Sequence, residues 1–422
     1  MLAYSKGKEL FLAKADGSES HRLMTMKDAG FVIRPVWSPD GVHLRFDFFT
    51  PPRRNSSIWE VSTDGTQLRQ LLPGVSKAPP DGCCGNWTAD GNYFLFVSGG
   101  QIWALPEKRS VFRAAPSAVQ LTSSPMALGS PLPGRDGKGL FVTGRTFRGE
   151  LMRYDSKSRA FSAFLGGISA EFVDFSKDGQ WVAYVSYPEG TLWRSTADGS
   201  DQLQLSYPPG YAVNPRWSPD GKSILFYEIP PNRPSRILEV SPEGGSPREL
   251  IPEDKQGQWD PNWSPEGNRI VFARDPTETE RGIQIFDLAA HRVSTVPGSQ
   301  GFYSPRWSPT GQYLVALSAD ETTLFLFNFQ TQKWTELAKG FFTWPNFSKD
   351  GQYLYILTVR GASAVLKIRL ADGRTERVAD LKDFVYTGRF VDGWLSLAPD
   401  DSPLLFRDAG ASELYSLDWE EP

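Results

Sequence analysis

A five-residue turn sequence, Trp-Ser-Pro-Asp-Gly or a variant of it, recurs nine times along this chain of 422 residues. The copies begin at residues 37, 87, 133, 175, 217, 263, 307, 347 and 397. In such a turn proline presets φ, the acidic residue bonds the local backbone, and glycine adopts the left-handed conformation that closes a hairpin. A hairpin repeated every ~40 to 50 residues is typical of the four-stranded blades of a β-propeller.

Each repeat unit carries apolar segments in the same order. In the unit around Trp217, residues 214–217, 223–228, 236–240 and 247–251 are predicted as four strands. The composition agrees, because 39 Gly and 33 Pro supply turns while 27 Phe, 14 Tyr and 14 Trp favour strands. The sequence therefore predicts an all-β chain.

The number of blades depends on the two chain ends. Residues 1–24 contain three predicted strands without a first strand, and residues 394–419 contain three without a fourth. Pairing the ends would make one composite blade from 1–24 and 380–422 and remove exposed sheet edges. We therefore predict a single closed β-propeller domain over residues 1–422 with nine blades. One strand is left over in this count, so eight blades, ten blades and two smaller rings are the alternatives.

An aromatic side chain precedes the turn in seven of the repeats. These side chains are predicted to fill the wedge between neighbouring blades, and truncation of one to Ala is expected to cost about 3 to 5 kcal/mol. The predicted inter-blade residues are Trp37, Trp87, Phe175, Trp217, Trp263, Trp307 and Phe347.

Charge and cysteine content exclude several classes of protein. The formal net charge is −4 and no run of five or six like charges occurs, so direct binding of nucleic acid is not expected. Cys83 and Cys84 are adjacent, a placement that rarely permits a mutual disulfide. No basic leader followed by an apolar run and no membrane-length apolar window is present, so we expect neither a signal peptide nor membrane insertion.

Residues that would support catalysis are sparse. His21, His43 and His291 lie in different units, and no Cys/His cluster with metal-ligand spacing occurs. The chain has no Gly-x-Ser-x-Gly motif, and the carboxylates of the turns are explained by turn capping. We therefore predict no catalytic residue, no metal and no cofactor.

The repeated turn, together with first strands such as Asn214-Pro215-Arg216-Trp217, resembles the TolB-type and WD-repeat-like β-propellers of bacteria over essentially the whole chain. The closing segment, residues 397–420, is similar to the last blade of the propeller sensor half of membrane-anchored winged-helix transcriptional regulators. Nothing in the sequence resembles their winged helix or membrane segment. This resemblance implies one of two cases. If the chain is a fragment of such a regulator, we expect it to be extracytoplasmic. If it is a stand-alone relative, we expect it to be cytoplasmic.

The resemblance implies that ligands meet the protein at a loop-rich face around the mouth of a central channel. The first residues of the first strands would approach this mouth: Arg34, Asn86, Asp174, Asn214, Arg216, Asp260, Asn262, Arg306 and Asn346. Aromatic residues of the same face are candidate interface anchors, with packing of loop onto blade as the alternative: Tyr207, Tyr211, Trp259, Phe302, Tyr303, Phe341, Phe342 and Trp344. Long loops at 47–57, 227–235 and 273–281 could wall the mouth.

Two classes of function are compatible with these features. We predict a monomeric, non-enzymatic sensor or scaffold propeller that binds a protein or peptide segment or a small polar ligand at the channel mouth. The alternative is a propeller enzyme of the hydrolase or lyase type, with Asp174, Asp260 and Arg306 as its candidate residues, or the gating propeller of a peptidase that lacks its catalytic domain.

Overall fold

The computed structural model describes residues 1–50, 55–72, 82–107, 117–231, 233–274, 282–358, 361–389 and 393–420. These residues form 38 β-strands in ten antiparallel sheets and one 3-10 helix, Leu165–Gly167. The all-β prediction is confirmed. No helix in the described ranges has the length and apolarity that crossing a membrane requires. The chain divides into two compact units: unit 1 is Met1–Phe147 with Gly410–Pro422, and unit 2 is Arg148–Ala409.

Unit 1 has four sheets in its described residues. Sheet 1 contains β1 (Leu2–Lys6), β2 (Glu9–Ala13) and β3 (His21–Thr25), and sheet 2 contains β4 (Phe31–Trp37), β5 (His43–Thr50), β6 (Asn55–Ser62) and β7 (Arg69–Gln70). Sheet 3 contains β8 (Gly82–Trp87), β9 (Tyr93–Ser98), β10 (Gln101–Pro106) and β11 (Val119–Gln120). Sheet 4 contains β12 (Ala127–Pro133), β13 (Gly139–Thr146) and the last strand of the chain, β38 (Ala411–Asp418).

Apolar clusters join each sheet of unit 1 to the next. Leu10 and Phe46 pack together between sheets 1 and 2, and Ile58 packs with Phe96 between sheets 2 and 3. Leu95 of sheet 3 packs in the same way with Val142 of sheet 4. Alternation along the strands therefore buries one side-chain row against each neighbouring sheet.

The expectation that Cys83 and Cys84 do not pair is wrong, because their sulfur atoms are bonded in β8. In a regular strand adjacent side chains point to opposite faces, which would hold the two sulfur atoms apart. Cys84 instead has a φ of 64°, at a β-bulge where the register between β8 and β9 shifts. The bulge breaks the alternation and allows the two side chains to meet.

Unit 2 has six four-stranded sheets in its described residues. Sheet 5 contains β14 (Gly149–Asp155), β15 (Ala160–Ala163), β36 (Leu395–Leu397) and β37 (Pro403–Asp408). Sheet 6 contains β16 (Ala170–Phe175), β17 (Trp181–Ser186), β18 (Leu192–Thr196) and β19 (Leu203–Gln204), and sheet 7 contains β20 (Tyr211–Trp217), β21 (Ile224–Ile229), β22 (Arg236–Val240) and β23 (Arg248–Glu249). Sheet 8 contains β24 (Gln258–Trp263), β25 (Arg269–Arg274), β26 (Ile283–Asp287) and β27 (Arg292–Thr295). Sheet 9 contains β28 (Phe302–Trp307), β29 (Tyr313–Ser318), β30 (Thr323–Asn328) and β31 (Lys333–Lys339), and sheet 10 contains β32 (Thr343–Phe347), β33 (Tyr353–Thr358), β34 (Ala364–Arg369) and β35 (Thr375–Asp380).

The six sheets of unit 2 close into a ring through sheet 5. Asn346 Nδ2 of sheet 10 donates to the carbonyl oxygen of Leu395 at 3.0 Å, and Ser396 Oγ donates to the carbonyl oxygen of Val173 in sheet 6 at 2.8 Å. Sheets 6 to 10 follow one another in sequence, each packed on the next. The innermost strands of this ring are β36, β16, β20, β24, β28 and β32.

The predicted closing blade is wrong, and the described residues form ten sheets, an alternative named above, rather than nine. β1 pairs with β2, whereas β38 pairs with β13 from Gly139↔Asp418 to Thr146↔Ala411. β37 pairs with β14, where Leu151 faces Phe406. The repeat that begins at residue 133 is therefore split between sheets 4 and 5, because turn spacing identifies hairpins but does not determine which hairpins share a sheet. That residues 1–422 form one domain stays a prediction.

The repeated turn is held by its own side chains, as in the turn that begins at Trp217. Ser218 Oγ donates to Asp220 Oδ1 at 2.6 Å and accepts from the N–H of Ser223 at 3.0 Å, while Gly221 has a φ of 73°. The hydrogen bond from Ser218 is the main cause that lowers the pKa of Asp220. This carboxylate therefore closes the hairpin and is not a site residue.

Candidate functional site

A β-bulge at the same position shapes the inner strands of unit 2. The residue three places before the turn aromatic has a φ between 47° and 56° in five of these strands. These residues are Phe172, Asn214, Asp260, Ser304 and Trp344. Left-handed backbone is uncommon for residues other than glycine, so its recurrence at one position marks a feature of the fold and not a local accident.

Polar side chains from four adjacent inner strands meet in the ring of unit 2. Asn214 Nδ2 donates to Asp260 Oδ1 at 2.6 Å, and Arg306 Nη1 lies 2.9 Å from the same oxygen. Arg216 Nη1 lies 3.7 Å from Asp174 Oδ1, and Asp174 Oδ2 accepts the N–H of Trp217 at 2.7 Å. We call Asp174, Asn214, Arg216, Asp260 and Arg306 the ring cluster.

Two arginines of the ring cluster are buried without enough acceptors. Nε of Arg216 and both Nε and Nη2 of Arg306 have no hydrogen-bond partner among the described residues. The Arg306 side chain is 4% exposed and that of Arg216 is 11% exposed. A buried N–H without an acceptor costs roughly 1 to 3 kcal/mol, more when the group is charged. Three such groups in one ring therefore favour binding of a group that carries acceptor oxygens.

Electrostatics in the ring cluster follow from burial and from the closeness of like charges. Burial lowers the pKa of Arg216, and the positive charge of Arg306 lowers it further. Burial also raises the pKa of Asp174, against the opposing effect of Arg216. The Asp174 side chain is nevertheless 27% exposed, so solvent reaches the cluster.

The ring also has an aromatic side, formed by residues of β16 and β32 and by the residue before β36. The rings of Phe172 and Trp344 lie 5.6 Å apart, and those of Phe172 and Trp394 lie 6.2 Å apart. The indole N–H of Trp394 is buried without a partner among the described residues. Phe172 and Trp394 are 2% and 3% exposed and belong to the apolar core of unit 2, and the half-buried Trp344 packs against that core.

A buried carboxyl group lies at the start of β16, next to the aromatic side. The Tyr211 hydroxyl donates to Glu171, and the N–H of Arg389 donates to Glu171 Oε2 at 2.9 Å. The Arg389 guanidinium lies 4.8 Å from the centre of the Tyr211 ring. Burial raises the pKa of Glu171 to about 7, although both hydrogen bonds oppose this shift. Burial and the Glu171 charge also raise the pKa of Tyr211.

The nine residues predicted at one channel mouth are distributed over both units. Unit 2 brings together the ring cluster. Asn262 Oδ1 accepts the N–H of Trp307 at 2.8 Å, and Asn346 bonds Leu395 as described, so both amides join neighbouring inner strands. In unit 1, Arg34 Nη1 lies 3.4 Å from Asp47 Oδ2, and Asn86 Nδ2 donates to the carbonyl oxygen of Pro131 at 2.9 Å.

Most of the eight candidate interface aromatics pack within unit 2. Only Tyr207 and Phe341 among them are exposed, at 65% and 38%. Trp259 stacks on Tyr227, Phe302 stacks on Phe325, and Phe342 is buried. Tyr303 donates to Glu321 Oε1 at 3.2 Å, and Tyr211 and Trp344 lie at the inner ring as described. Five of the eight lie in inner strands and not in loops, and their contact with a partner stays a prediction: Tyr211, Trp259, Phe302, Tyr303 and Trp344.

The turn aromatics lie in or beside the apolar clusters. Trp217 and Trp307 are themselves buried in clusters, and Trp307 packs with Val271 of the preceding sheet. The other five are half-buried against the clusters, namely Trp37, Trp87, Phe175, Trp263 and Phe347. Of the predicted loop walls, residues 51–54, 232 and 275–281 lie outside the described residues.

Sequence reasoning missed Glu171, Arg389 and Trp394. The offset of three residues before the turn could have found Trp394, since its turn begins at Leu397. Glu171 and Arg389 carry no comparable signal, because they lie far apart in the sequence and meet only when the ring closes.

No family model matches the sequence, and no curated protein matches it. Among solved structures, the putative TolB of Agrobacterium tumefaciens is similar, with a TM-score of 0.51 and 16% identity over 62% of this chain and 99% of that one. TolB of Acinetobacter baumannii has a TM-score of 0.45 and 16% identity over 66% and 78% of the two chains. An oligogalacturonate lyase in complex with manganese has a TM-score of 0.36 and 12% identity over 88% and 97%. At 16% identity the similarity to the Agrobacterium structure concerns the fold alone: the chain has a TolB-like β-propeller fold.

Proposed function

We propose that this chain is a non-enzymatic binding module that holds a segment of a partner protein, or a small polar ligand, in the inner ring of unit 2. The observation that carries the proposal is the set of three buried guanidinium N–H groups of Arg216 and Arg306 without acceptors among the described residues. A carboxylate or carbonyl oxygen of a ligand would satisfy them, and a planar carboxylate matches the fork of a guanidinium.

The chemistry of the ring narrows the ligand further. Asp174 and Asp260 balance the two arginines, so the ring cluster carries no formal net charge and suits a polar or zwitterionic group. The half-buried ring of Trp344, which packs against Phe172, offers an apolar surface on the other side. A peptide segment with a carboxylate beside an apolar or aromatic side chain fits both surfaces.

A peptide array tests the proposal on the full chain. Each peptide is presented with a free and with an amidated carboxyl end, and binding is compared between the wild type and Arg306→Lys. Lysine keeps the charge that pairs with Asp260 but loses the fork, so affinity for the free carboxylates should fall about tenfold, the equivalent of one charged hydrogen bond.

Arg248→Lys is the matched control, since the Arg248 side chain is 75% exposed on β23. This variant should bind as the wild type does. The proposal is contradicted if no peptide binds the wild type, or if Arg306→Lys and the wild type bind the free carboxyl forms equally.

One observation favours the enzyme alternative. A carboxyl group with a pKa of about 7, as burial gives Glu171, is suited to general acid–base chemistry near neutral pH. Glu171→Gln would abolish such an activity, and loss in Asp174 or Arg306 variants would extend the active site to the ring cluster. Hydrolase and lyase substrate panels that show no turnover by the wild type would count against an enzyme.

A further inference from the structure

Two cysteines and a buried carboxylate meet in unit 1. The ring cluster belongs to unit 2 and is distant from them in the sequence. Cys83 and Cys84 lie on β8 of sheet 3, and Asp47 lies on β5 of sheet 2. One carboxylate oxygen of Asp47 and the two sulfur atoms all lie within 4.8 Å of one another. They form one compact set of sulfur and oxygen atoms.

The fold holds this set from two sheets. Asp47 is 3% exposed, and its Oδ2 accepts the N–H of Cys84 at 2.9 Å. Nη1 of Arg34 lies 3.4 Å from the same oxygen and 3.2 Å from the sulfur of Cys84. The Arg34 side chain is 58% exposed and both cysteines are half-buried, so the set is within reach of a solute.

We propose that Cys83, Cys84 and Asp47 form a redox-controlled site for a thiophilic divalent cation of the Zn²⁺ class. In the structure the sulfur atoms are bonded to each other, and this oxidised form is closed to the cation. Two-electron reduction by a dithiol opens the site. The S–S bond breaks, each sulfur gains one proton and one electron, and the reducing dithiol becomes a cyclic disulfide. Binding of the cation then releases the two thiol protons.

The ligand set is suited to such a cation. Zn²⁺ binds sulfur at about 2.3 Å and carboxylate oxygen at about 2.0 to 2.2 Å in tetrahedral geometry, so its ligand atoms lie about 3.5 to 3.8 Å apart. The observed set spans no more than 4.8 Å, so a small movement of the side chains would suffice. Two thiolates favour Zn²⁺ or Co²⁺ over Mg²⁺ and Ca²⁺, which prefer oxygen ligands. The fourth position would be left to water.

The experiment uses the full chain, without and with anaerobic reduction, and Co²⁺ as a visible stand-in for Zn²⁺. Thiol titration should find no thiol before reduction and two after it. The reduced protein should bind one Co²⁺ with a thiolate-to-metal absorption band, which Zn²⁺ removes by displacement. Cys83→Ser should lose the band, and Asp47→Asn should bind Co²⁺ at least about tenfold more weakly, as expected when a ligand is replaced.

Asp64→Asn is the matched control, because Asp64 lies in the exposed turn between β6 and β7 and bonds Thr66 there. It should bind Co²⁺ as the reduced wild type does. If Asp47→Asn does not fold, the Co²⁺ absorption band of Cys83→Ser and Cys84→Ser still tests the proposal. The proposal is overturned if the reduced wild type binds no Co²⁺, if the oxidised form binds it equally, or if both serine variants keep the band.

Discussion

At the scale of the residue, Glu171 couples the stability of the fold to pH. Its folded pKa of about 7 lies above the ordinary value of 4.5, so between these values the folded state binds the proton that the unfolded state has lost. Stability therefore falls as pH rises through this window and then levels off. At roughly 1.4 kcal/mol per pKa unit, the loss attributable to Glu171 is about 3 kcal/mol.

Chemical denaturation of the wild type and Glu171→Gln at about pH 5 and about pH 8 checks this prediction. The amide oxygen can accept from the N–H of Arg389, and the amide NH2 can donate to the Tyr211 hydroxyl. Because the amide cannot ionise, the variant should lose the part of the pH dependence that belongs to this group. The same slope in both proteins would show that Glu171 does not titrate in this window.

At the scale of the element, the pairing of β14 with β37 depends on a close approach at Gly149. A Cβ built on Gly149 would lie 1.9 Å from Cζ of Phe406. Gly149 does not have a positive φ, so the substitution adds no backbone strain of that kind and tests the packing. We expect Gly149→Ala to lower the free energy of unfolding by about 1 to 3 kcal/mol, the usual cost of overpacking. Denaturant unfolding measures the change.

Gly139→Ala is the control for that prediction, since a Cβ at this strand position would meet nothing closer than 3.9 Å. It should leave stability within about 1 kcal/mol of the wild type. If Gly149→Ala and Gly139→Ala change the free energy of unfolding equally, the approach of Phe406 to β14 does not limit the packing of sheet 5.

The same elements show what the sequence could and could not predict. The turns could be predicted because their interactions are local. Ser218 bonds Asp220, and Gly221 adopts the left-handed backbone, all within a few residues. The sequence also placed Arg216 and Arg306 on first strands. The split of one repeat between sheets 4 and 5 was not predictable, because pairs such as Leu151↔Phe406 depend on packing between distant segments.

The bulges of the inner strands were missed for a related reason. Left-handed backbone at Asn214 or Asp260 agrees with the tolerance of these residue types, but the same conformation at Phe172 and Trp344 contradicts local preference. The shared position relative to the turn explains all of them, and the Cys84 bulge of unit 1 lies at that position too. The residues of the ring cluster were predicted together from their position on the first strands, whereas the vicinal disulfide could not be inferred without the bulge.

At the scale of the whole molecule, the closure of unit 2 within its own residues predicts that it folds without the rest of the chain. β36 and β37 supply the inner half of sheet 5, and β14 and β15 supply the outer half, so residues 148–409 contain every strand of the ring. Expressed alone, this segment should give a β-rich circular dichroism spectrum and one cooperative unfolding transition.

The segment 148–393 is the matched control, because it lacks β36 and β37 and leaves β14 and the flanks of sheets 6 and 10 unpaired. Buried residues such as Leu404 and Leu405 would be lost from the core, and the open edges would favour aggregation. We therefore expect 148–393 to unfold at lower denaturant concentration or to aggregate. An unfolded 148–409 segment would mean that ring closure alone does not stabilise unit 2, and that its stability depends on residues outside it.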